Sequence, residues 1–246
     1  GTIVLNKDDK FFDFFSNLAN KNNLNIISFG KHKNSNIRLF EIKKTKKNCI
    51  IFLSVDTRIY NFKIHNNLLP YVENILASIA VCKSLSIIDK IKNNFFYSYQ
   101  IPIGRGNIKK ISLGSKKINI IDESYNSNPL SLNFSIKKFD NLKINPDKKF
   151  ILLGDMLELG KFSKKLHIEA AKEINKAKFK KLFVYGNNII DTFNKIRTQK
   201  KGKVLKSTSD ILDIIKNDLK NNDFLMIKGS NSTGLNQITK NIGTKS

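Results

Sequence analysis

Two segments in the middle of the sequence decide the fold: INIIDESYNSNP, residues 118–129, and FILLGDMLELG, residues 150–160. Each begins with an apolar run typical of a buried strand, continues into a polar cluster, and is followed by a helical pattern. In open α/β sheets, ligands bind at the carboxyl ends of the strands. Two such clusters in succession therefore indicate a site for nucleotide or substrate chemistry.

The segments on either side continue the same alternation of strands and helices. A hairpin around Gly114 is expected for residues 108–121, since two strand-like runs flank a Gly-Ser turn. Further strands are predicted at 150–153, 182–185, near Val204 and at 224–227, and helices at 130–139, 164–178, 189–196 and after Gly234. Ser207 and Asp210 can cap one more helix, which runs through Leu219. Alternation at this spacing predicts a parallel sheet covered by helices on both faces.

The first hundred residues mix strands with two helices. Strands are predicted at 2–5, 25–29, 37–42, 49–55 and 58–64, from their Val, Ile and Phe content. Asp8 and Asp9 precede an apolar helix in which 11–15 is expected to pack in the core, and a second helix follows Pro70. The turn Gly104-Arg105-Gly106 is taken as a domain boundary and hinge.

The formal net charge of +24 raises the alternative of a basic nucleic-acid-binding α/β module. Only four of the 44 basic residues are arginine, whose planar fork is the usual reader of phosphates and bases. Abundant Lys, Asn and Ile instead indicate the codon usage of an AT-rich genome. The nucleic-acid interpretation therefore stays as the less favoured one.

The sequence lacks the patterns of a paired-cysteine site, a metal site and a membrane span. Cys49 and Cys82 form no C-x-x-C pair, which favours reduced thiols in a cytoplasmic protein. The three histidines lack metal-ligand spacing, so surface or capping roles are expected for them. No apolar run reaches the length of a membrane span. The first residues, Gly1 to Leu5, already read as a strand, which suggests a cut through a longer protein.

The polar cluster after the strand at 118–121 offers several ligand-binding groups. Asp122 and Glu123 can accept ribose hydroxyls, and Tyr125 presents an aromatic face. The amides of Asn126 and Asn128 can pair with an adenine edge. The alternative is an Asx-rich turn in which Asn128 caps the next helix, and the residues alone favour neither.

Two further loops resemble binding loops more weakly. The segment 228–234 follows a strand and opens a helix, so its amides and Lys228 suit an anion, although the Walker A order is absent. A tight Gly/Ser/Asn turn with a solvated lysine is the alternative. In the segment 154–160, Asp155 and Glu158 could meet an ammonium group.

At these residues the chain resembles the Mur ligase family. The segment 122–129 is similar to the family's D-D/E-A/S-Y-N-A-N-P motif, and 154–160, with Ser163 and His167, is similar to its G-D-M-x-E-L-G…S…H segment. Further similarities, in family order, are LNKDD at 5–9, NILA at 74–77, GRG at 104–106 and KGS at 228–230. Together these motifs span nearly the whole chain.

The resemblance implies an α/β fold in which the end of a mixed-sheet ATPase domain precedes a Rossmann-like, doubly wound parallel-sheet domain. Residues 1–106 would be the C-terminal part of the central ATP-binding domain, and 107–246 the C-terminal domain. The UDP-binding domain and the P-loop would lie upstream, together with the Mg²⁺ ligands. ATP and Mg²⁺ are the cofactors implied, and the chain by itself is expected to be inactive.

The family member with the most similar motifs joins D-alanyl-D-alanine to UDP-N-acetylmuramoyl-tripeptide through an acyl phosphate. The resemblance assigns the nucleotide to Asn74, Arg105, Asp122, Tyr125, Asn126 and Asn128. It assigns D-alanyl-D-alanine to Asp155, Lys228 and Ser230. A cytoplasmic monomer with no nucleic-acid or membrane partner is implied. Pro70 departs from the family pattern, which has a histidine there.

Overall fold

The computed structural model describes residues 1–242. The chain divides into two compact units, Gly1–Gln100 and Ile101–Ser246. The last four positions of the predicted second domain lie outside the described residues. Each unit holds one sheet of its own, with five and six strands respectively.

The first unit is a mixed sheet with strand order β1-β2-β3-β4-β5. The pair β1–β2 is parallel, as its crossover helix requires, and the pairs β3–β4 and β4–β5 are antiparallel hairpins. The pair β2–β3 is also parallel, but over two residue pairs only and without a helix between the strands. The predicted strands and both helices are present. Their bounds are β1 (Thr2–Asn6), α1 (Phe12–Lys21), β2 (Asn25–Gly30), β3 (Ile37–Lys44), β4 (Asn48–Val55), β5 (Arg58–His65) and α2 (Val72–Ser84).

Helix α1 corrects one expectation, namely that 11–15 packs in the core. Phe12, Ser16 and Ala19 face inward at helical spacing, whereas four bulky side chains on the other face lie in solvent. The exposed fractions are 52% for Phe11, 64% for Phe14, 43% for Phe15 and 49% for Leu18. Apolar side chains of α1 occupy most of its circumference, so the sheet on one side of the helix can cover only some of them.

The second unit is a six-stranded sheet with order β10-β9-β8-β11-β7-β6. All neighbours are parallel except β6 and β7, which form the predicted hairpin. Strand β11 is the last in sequence, yet it lies between β7 and β8. The elements are β6 (Asn107–Leu113), β7 (Lys116–Glu123), α3 (Pro129–Asp140), β8 (Lys149–Gly154), α4 (Ser163–Lys176), β9 (Lys181–Tyr185), α5 (Ile189–Asn194), β10 (Lys201–Leu205), α6 (Thr208–Asp213), β11 (Phe224–Lys228) and α7 (Leu235–Asn241).

Helices cover both faces of this second sheet, as the alternation predicts. One apolar cluster joins α6 and α7 to the sheet through side chains such as Ile211, Leu235 and Leu152. The other joins α3, α4 and α5 through side chains such as Ile136 and Ile174. The fold is therefore α/β, with a mixed sheet followed by a doubly wound, largely parallel sheet.

Candidate functional site

Four strand ends meet at one edge of the second sheet. In the parallel register Lys228 lies opposite both Glu123 and Leu153, and Gly154 lies opposite Tyr185. The loops that leave β7, β8, β9 and β11 therefore start at the same level. This is the carboxyl edge at which open α/β sheets bind ligands.

Arg105 and Tyr125 form a stacked pair at this edge. The guanidinium of Arg105 lies 4.3 Å from the centroid of the Tyr125 ring, which is 50% exposed. Two backbone bonds fix the pair: Tyr125 N–H donates to Gly104 O at 3.1 Å, and Gly106 N–H donates to Asp122 O at 2.7 Å. A Cβ on Gly104 would lie 2.9 Å from Tyr125 N, so this close approach requires glycine.

The side chain of Asp122 is buried beside this pair and closes a turn. Its Oδ1 accepts the backbone N–H of Ser124 at 3.0 Å and also the Ser124 hydroxyl. The structure thus brings Arg105, Asp122 and Tyr125 together, as the resemblance implies. The carboxylate has a local structural role in addition to any ligand contact.

The two asparagines of the β7–α3 loop are engaged by the loop itself. Asn128 caps α3: its Oδ1 accepts Ser131 N–H at 2.8 Å, and the Ser131 hydroxyl accepts Asn128 N–H at 3.1 Å. Asn126 Oδ1 accepts the N–H of Ser127 at 2.7 Å. For Asn128 the geometry therefore matches the alternative of a capped turn.

Asn74 belongs to the other unit of the chain. It is an exposed residue of α2, in the first unit, and its carbonyl accepts the hydroxyl of Ser78 at 2.9 Å. Its assignment to the nucleotide stays a prediction.

Lys228 is buried, with 3% of its surface exposed, so it is not a solvated lysine. Its Nζ donates to the carbonyl of Asn126 at 2.9 Å and therefore supports the loop that carries Tyr125. Burial lowers the pKa of Lys228, while the carboxylate of Glu123 acts in the opposite direction. Glu123 also forms an ion pair with α3, in which its Oε1 lies 3.5 Å from Lys138 Nζ.

Ser230 joins three of the four loops. Its hydroxyl accepts Leu157 N–H at 2.8 Å and donates to Ser127 O at 3.2 Å, and its own N–H donates to Asp155 O at 3.0 Å. Because the hydroxyl both donates and accepts within the protein, it is used for positioning the loops.

Asp155 holds the fourth loop. Its carboxylate accepts Ile189 N–H at 2.7 Å, Asn187 N–H at 3.1 Å and the Asn188 side-chain amide at 3.4 Å, at the start of α5. A Cβ on Gly186 would lie 2.5 Å from Asp155 Oδ1. This carboxylate therefore fixes the shape of the β9–α5 loop.

A cavity of about 580 Å³ opens between these loops, within the second unit. Its lining combines polar and apolar groups, including Asp155, Leu157, Tyr185, Asn187, Lys206 and Thr233. Such a mixed lining suits a small ligand with both charged and methyl groups.

Two residues that the resemblance did not assign to a ligand contribute to the same edge. His167 is fully buried rather than on the surface: its Nε2 accepts Met156 N–H at 3.1 Å, and its Nδ1 lies 2.8 Å from Ser163 O. These partners match a neutral imidazole with its proton on Nδ1, which caps the β8–α4 loop. The other is Glu123, whose pairing with Lys228 depends on β7 and β11 being neighbours, and sequence alone does not reveal that.

Two family models match the chain. The model of the Mur ligase, glutamate ligase domain matches residues 104–231, more than half of the chain, and that of the Mur ligase middle domain matches residues 1–82.

Curated relatives and solved structures agree with these models. UDP-N-acetylmuramoyl-tripeptide–D-alanyl-D-alanine ligase of Buchnera aphidicola subsp. Acyrthosiphon pisum is 29% identical over 229 residues, which cover 85% of this chain and 48% of the relative. The enzyme of that name from Bacillus subtilis is 29% identical over 128 residues, 51% of this chain and 28% of the relative.

Among solved structures, MurF ligase from Thermotoga maritima in complex with ADP has a TM-score of 0.72 at 20% identity, over 100% of this chain and 53% of that one. MurF from Acinetobacter baumannii has a TM-score of 0.75 at 18% identity, over 100% and 52%. The chain thus spans at most about half the length of these relatives. On the match of the domain models, the chain belongs to the Mur ligase family.

Proposed function

We propose that this chain forms part of an ATP-dependent ligase that joins D-alanyl-D-alanine to UDP-N-acetylmuramoyl-tripeptide, in the cytoplasmic synthesis of peptidoglycan precursors. The observation that carries the proposal is the convergence of the motif-bearing loops on one sheet edge, around Arg105, Tyr125 and Asp155. The curated relatives named for this reaction support the choice of substrates.

The nucleotide is assigned to the Arg105–Tyr125 side of the edge. The half-exposed Tyr125 ring offers a face for a base, and Arg105 supplies a cation for a phosphate. Asp122 is assigned to the ribose, Asn126 to a polar contact, and Asn128 to holding the start of α3. Asn74 belongs to the same proposal, as a contact from α2.

D-alanyl-D-alanine is assigned to the cavity beside Asp155. Lys206 lines this cavity and can meet the dipeptide carboxylate, and Leu157 can meet a methyl group. Lys228 and Ser230 lie beneath the loops, so their proposed role is to position Asn126, Ser127 and Leu157. Asp155 acts in the same way on the β9–α5 loop.

ATP, when bound, supplies the phosphoryl group that activates the carboxylate of the acceptor peptide. The part of the chain that the structure describes holds no group of three or more His, Cys, Asp or Glu side chains able to bind a metal. Following the resemblance, the proposal assigns the Mg²⁺ ligands to the portion of the relatives that this chain does not span. Within residues 1–242, no helix is both long enough and apolar enough to cross a bilayer.

The nucleotide assignment is testable on the full chain by amide NMR during titration with ADP. Shifts are expected at residues 104–106 and 122–128, and Arg105→Ala should weaken binding at least about tenfold, since it removes the phosphate partner. Arg197→Ala, an exposed arginine after α5, is the matched control. Equal affinities for the two variants would contradict the assignment. Tighter binding of a DNA duplex than of ADP, with a steep salt dependence, would favour the nucleic-acid alternative.

A further inference from the structure

The β8–α4 loop carries two acids, Asp155 and Glu158, that differ in how far the protein itself uses them. The carboxylate of Asp155 accepts the N–H groups of Asn187 and Ile189, at 3.1 and 2.7 Å, and so belongs to the start of α5. Glu158, in contrast, is exposed. Either acid could meet an ammonium group on sequence grounds, but the structure leaves Glu158 as the one whose carboxylate is available to a ligand.

Glu158 adopts a backbone conformation that residues other than glycine rarely take. Its φ is 62°, in the left-handed region. The backbone before it is fixed at successive residues: Met156 N–H donates to His167 Nε2 at 3.1 Å, and Leu157 N–H donates to Ser230 Oγ at 2.8 Å. The loop therefore holds a glutamate where glycine would fit without strain, a feature that is concentrated at binding sites.

The position of Glu158 is next to the cavity of about 580 Å³, because it directly follows Leu157, which lines that cavity. Lys206, on the loop after β10, lies in the same lining. This second loop is also fixed, since the N–H groups of Lys206 and Ser207 both donate to Asp210 Oδ2, at 2.7 and 3.1 Å. A carboxylate beside the cavity and an ammonium in its lining thus both stand on fixed loops.

The spacing of these two loops suits a dipeptide. Strand β9 lies between β8 and β10, so the loops begin about 10 Å apart. An extended dipeptide separates its ammonium from its carboxylate by about 6 Å, and one hydrogen bond at each end brings the span to about 12 Å. A single amino acid bonded in the same way spans only about 8 Å.

We propose that Glu158 binds the ammonium group of D-alanyl-D-alanine, while Lys206 binds its carboxylate, so that the pair selects a dipeptide with a free amino terminus. The inference rests on the proposed function and adds the residue that recognises the amino end of the substrate. Asp155 keeps its part in shaping the β9–α5 loop.

The test measures the binding of two dipeptides to the full chain by amide NMR titration at about pH 7, where an α-amino group is still mostly protonated. One is D-alanyl-D-alanine, and the other is N-acetyl-D-alanyl-D-alanine, which lacks the ammonium. Wild type should bind the acetylated dipeptide at least about tenfold more weakly.

Glu158→Gln keeps the shape of the side chain but removes its charge. It should bind D-alanyl-D-alanine at least about tenfold more weakly than wild type does, and it should no longer distinguish the two dipeptides. Glu169→Gln is the matched control, because it removes an exposed acid of α4 in the same unit, and it should bind as wild type does.

Glu158→Gly separates the charge from the shape of the loop. Glycine accepts a φ of 62° without strain, so the urea midpoint should not fall, yet the affinity for D-alanyl-D-alanine should drop as it does in Glu158→Gln. Wild-type affinity in this variant would show that the carboxylate is not needed.

Equal affinities of Glu158→Gln and Glu169→Gln for D-alanyl-D-alanine would overturn the inference. An equal loss for both dipeptides would do the same, because a purely structural role of Glu158 does not depend on the ammonium of the ligand. If wild type binds D-alanyl-D-alanine in either of these cases, the proposed function still stands. A wild-type chain that binds neither dipeptide would contradict the proposed substrate together with the inference.

Discussion

Both sheets contain βαβ connections, one in the first unit (β1-α1-β2) and a series in the second, but they differ in how completely they are covered. In the second unit, helices lie on both faces, and the residues of central strand β8 are all buried. In the first unit, strand β1 is half-buried, and four apolar side chains of α1 lie in solvent. The difference teaches that helices cover both faces of the second sheet, whereas the first unit leaves one apolar face of α1 exposed.

The largest expected effect is the difference in stability between the two units when each is produced separately. Residues 101–246 should unfold in one cooperative transition, because both apolar clusters are internal to that unit. Residues 1–100 should unfold at lower urea and should bind the apolar dye anilinonaphthalene sulfonate through the exposed side chains of Phe11, Phe14, Phe15 and Leu18. Equal urea midpoints for the two units, with no dye binding by residues 1–100, would contradict the comparison.

The same Leu→Ala substitution, made once in each unit, compares the loss in the free energy of unfolding at single residues. Leu152→Ala in β8 should lower the free energy of unfolding of the second unit by about 3 kcal/mol, since Leu152 is fully buried. Leu5→Ala in β1, the same chemical change at a half-buried position, should cost the first unit less than about 1.5 kcal/mol. Urea unfolding followed at assigned amides of each unit measures both. A larger loss for Leu5→Ala would mean that β1 is part of a closed core.

A buried lysine of the second unit provides a test with a smaller expected effect. Lys149 is 2% exposed, and its Nζ donates to the carbonyls of Phe139, Asp140 and Leu142, at 3.0, 2.8 and 2.9 Å, at the end of α3. Lys149→Met keeps the apolar stem but removes the ammonium that donates to all three carbonyls, of which Phe139 O and Leu142 O keep a backbone donor. We expect a loss of about 2 kcal/mol in the free energy of unfolding.

Lys148→Met, at the exposed neighbouring position, is the control and should change stability by less than about 0.5 kcal/mol. Equal effects of the two substitutions would mean that the ammonium of Lys149 does not cap α3.

The smallest expected effect is a difference in pH dependence between the units. Burial lowers the pKa of Lys149 and Lys200 below 10.5. In the unfolded chain these two lysines therefore keep their protons to higher pH than in the folded protein. As a result, the second unit gains stability as the pH rises toward 10.5. In the first unit, burial raises the pKa of Cys49 above 9.0, and the bond to Asp89 raises that of Tyr60 above 10.0. The first unit therefore loses stability as the pH rises, above 9.0 because of Cys49 and above 10.0 because of Tyr60.

Urea unfolding at about pH 8 and about pH 10 should therefore give slopes of opposite sign for the two units. Cys49→Ala should flatten the decline in the first unit. Slopes of the same sign, unchanged by that substitution, would show that these groups do not control the alkaline behaviour.

Much of the fold could be predicted from the sequence because its signals are local. Apolar runs bounded by Gly, Asn and Lys marked the strands to within two residues for β3, and Ser207 with Asp210 marked the capped start of α6. Burial across α1 was predicted wrongly, since a helical pattern indicates which residues are apolar but not which neighbours cover them.

The candidate site could be predicted only in part. The residues of the β7–α3 loop were identified because they are contiguous in sequence. The roles of Ser230 and Lys228 depend on β11 lying between β7 and β8, a long-range arrangement that brings Ser230 to Ser127 and Leu157. Sequence spacing carries no trace of that insertion, so it did not indicate that these two side chains bond to neighbouring loops; their assignment to D-alanyl-D-alanine stays a prediction.

The most direct test of the account measures ADP release by an equimolar mixture of this chain and the N-terminal half of the Buchnera aphidicola relative. We predict ADP release only when ATP, UDP-N-acetylmuramoyl-tripeptide and D-alanyl-D-alanine are all present, and at least about a tenfold loss with Arg105→Ala. The chain alone should release none. Substrate-dependent ADP release by the chain alone, or none by a mixture in which sedimentation shows that the two polypeptides associate, would contradict the account.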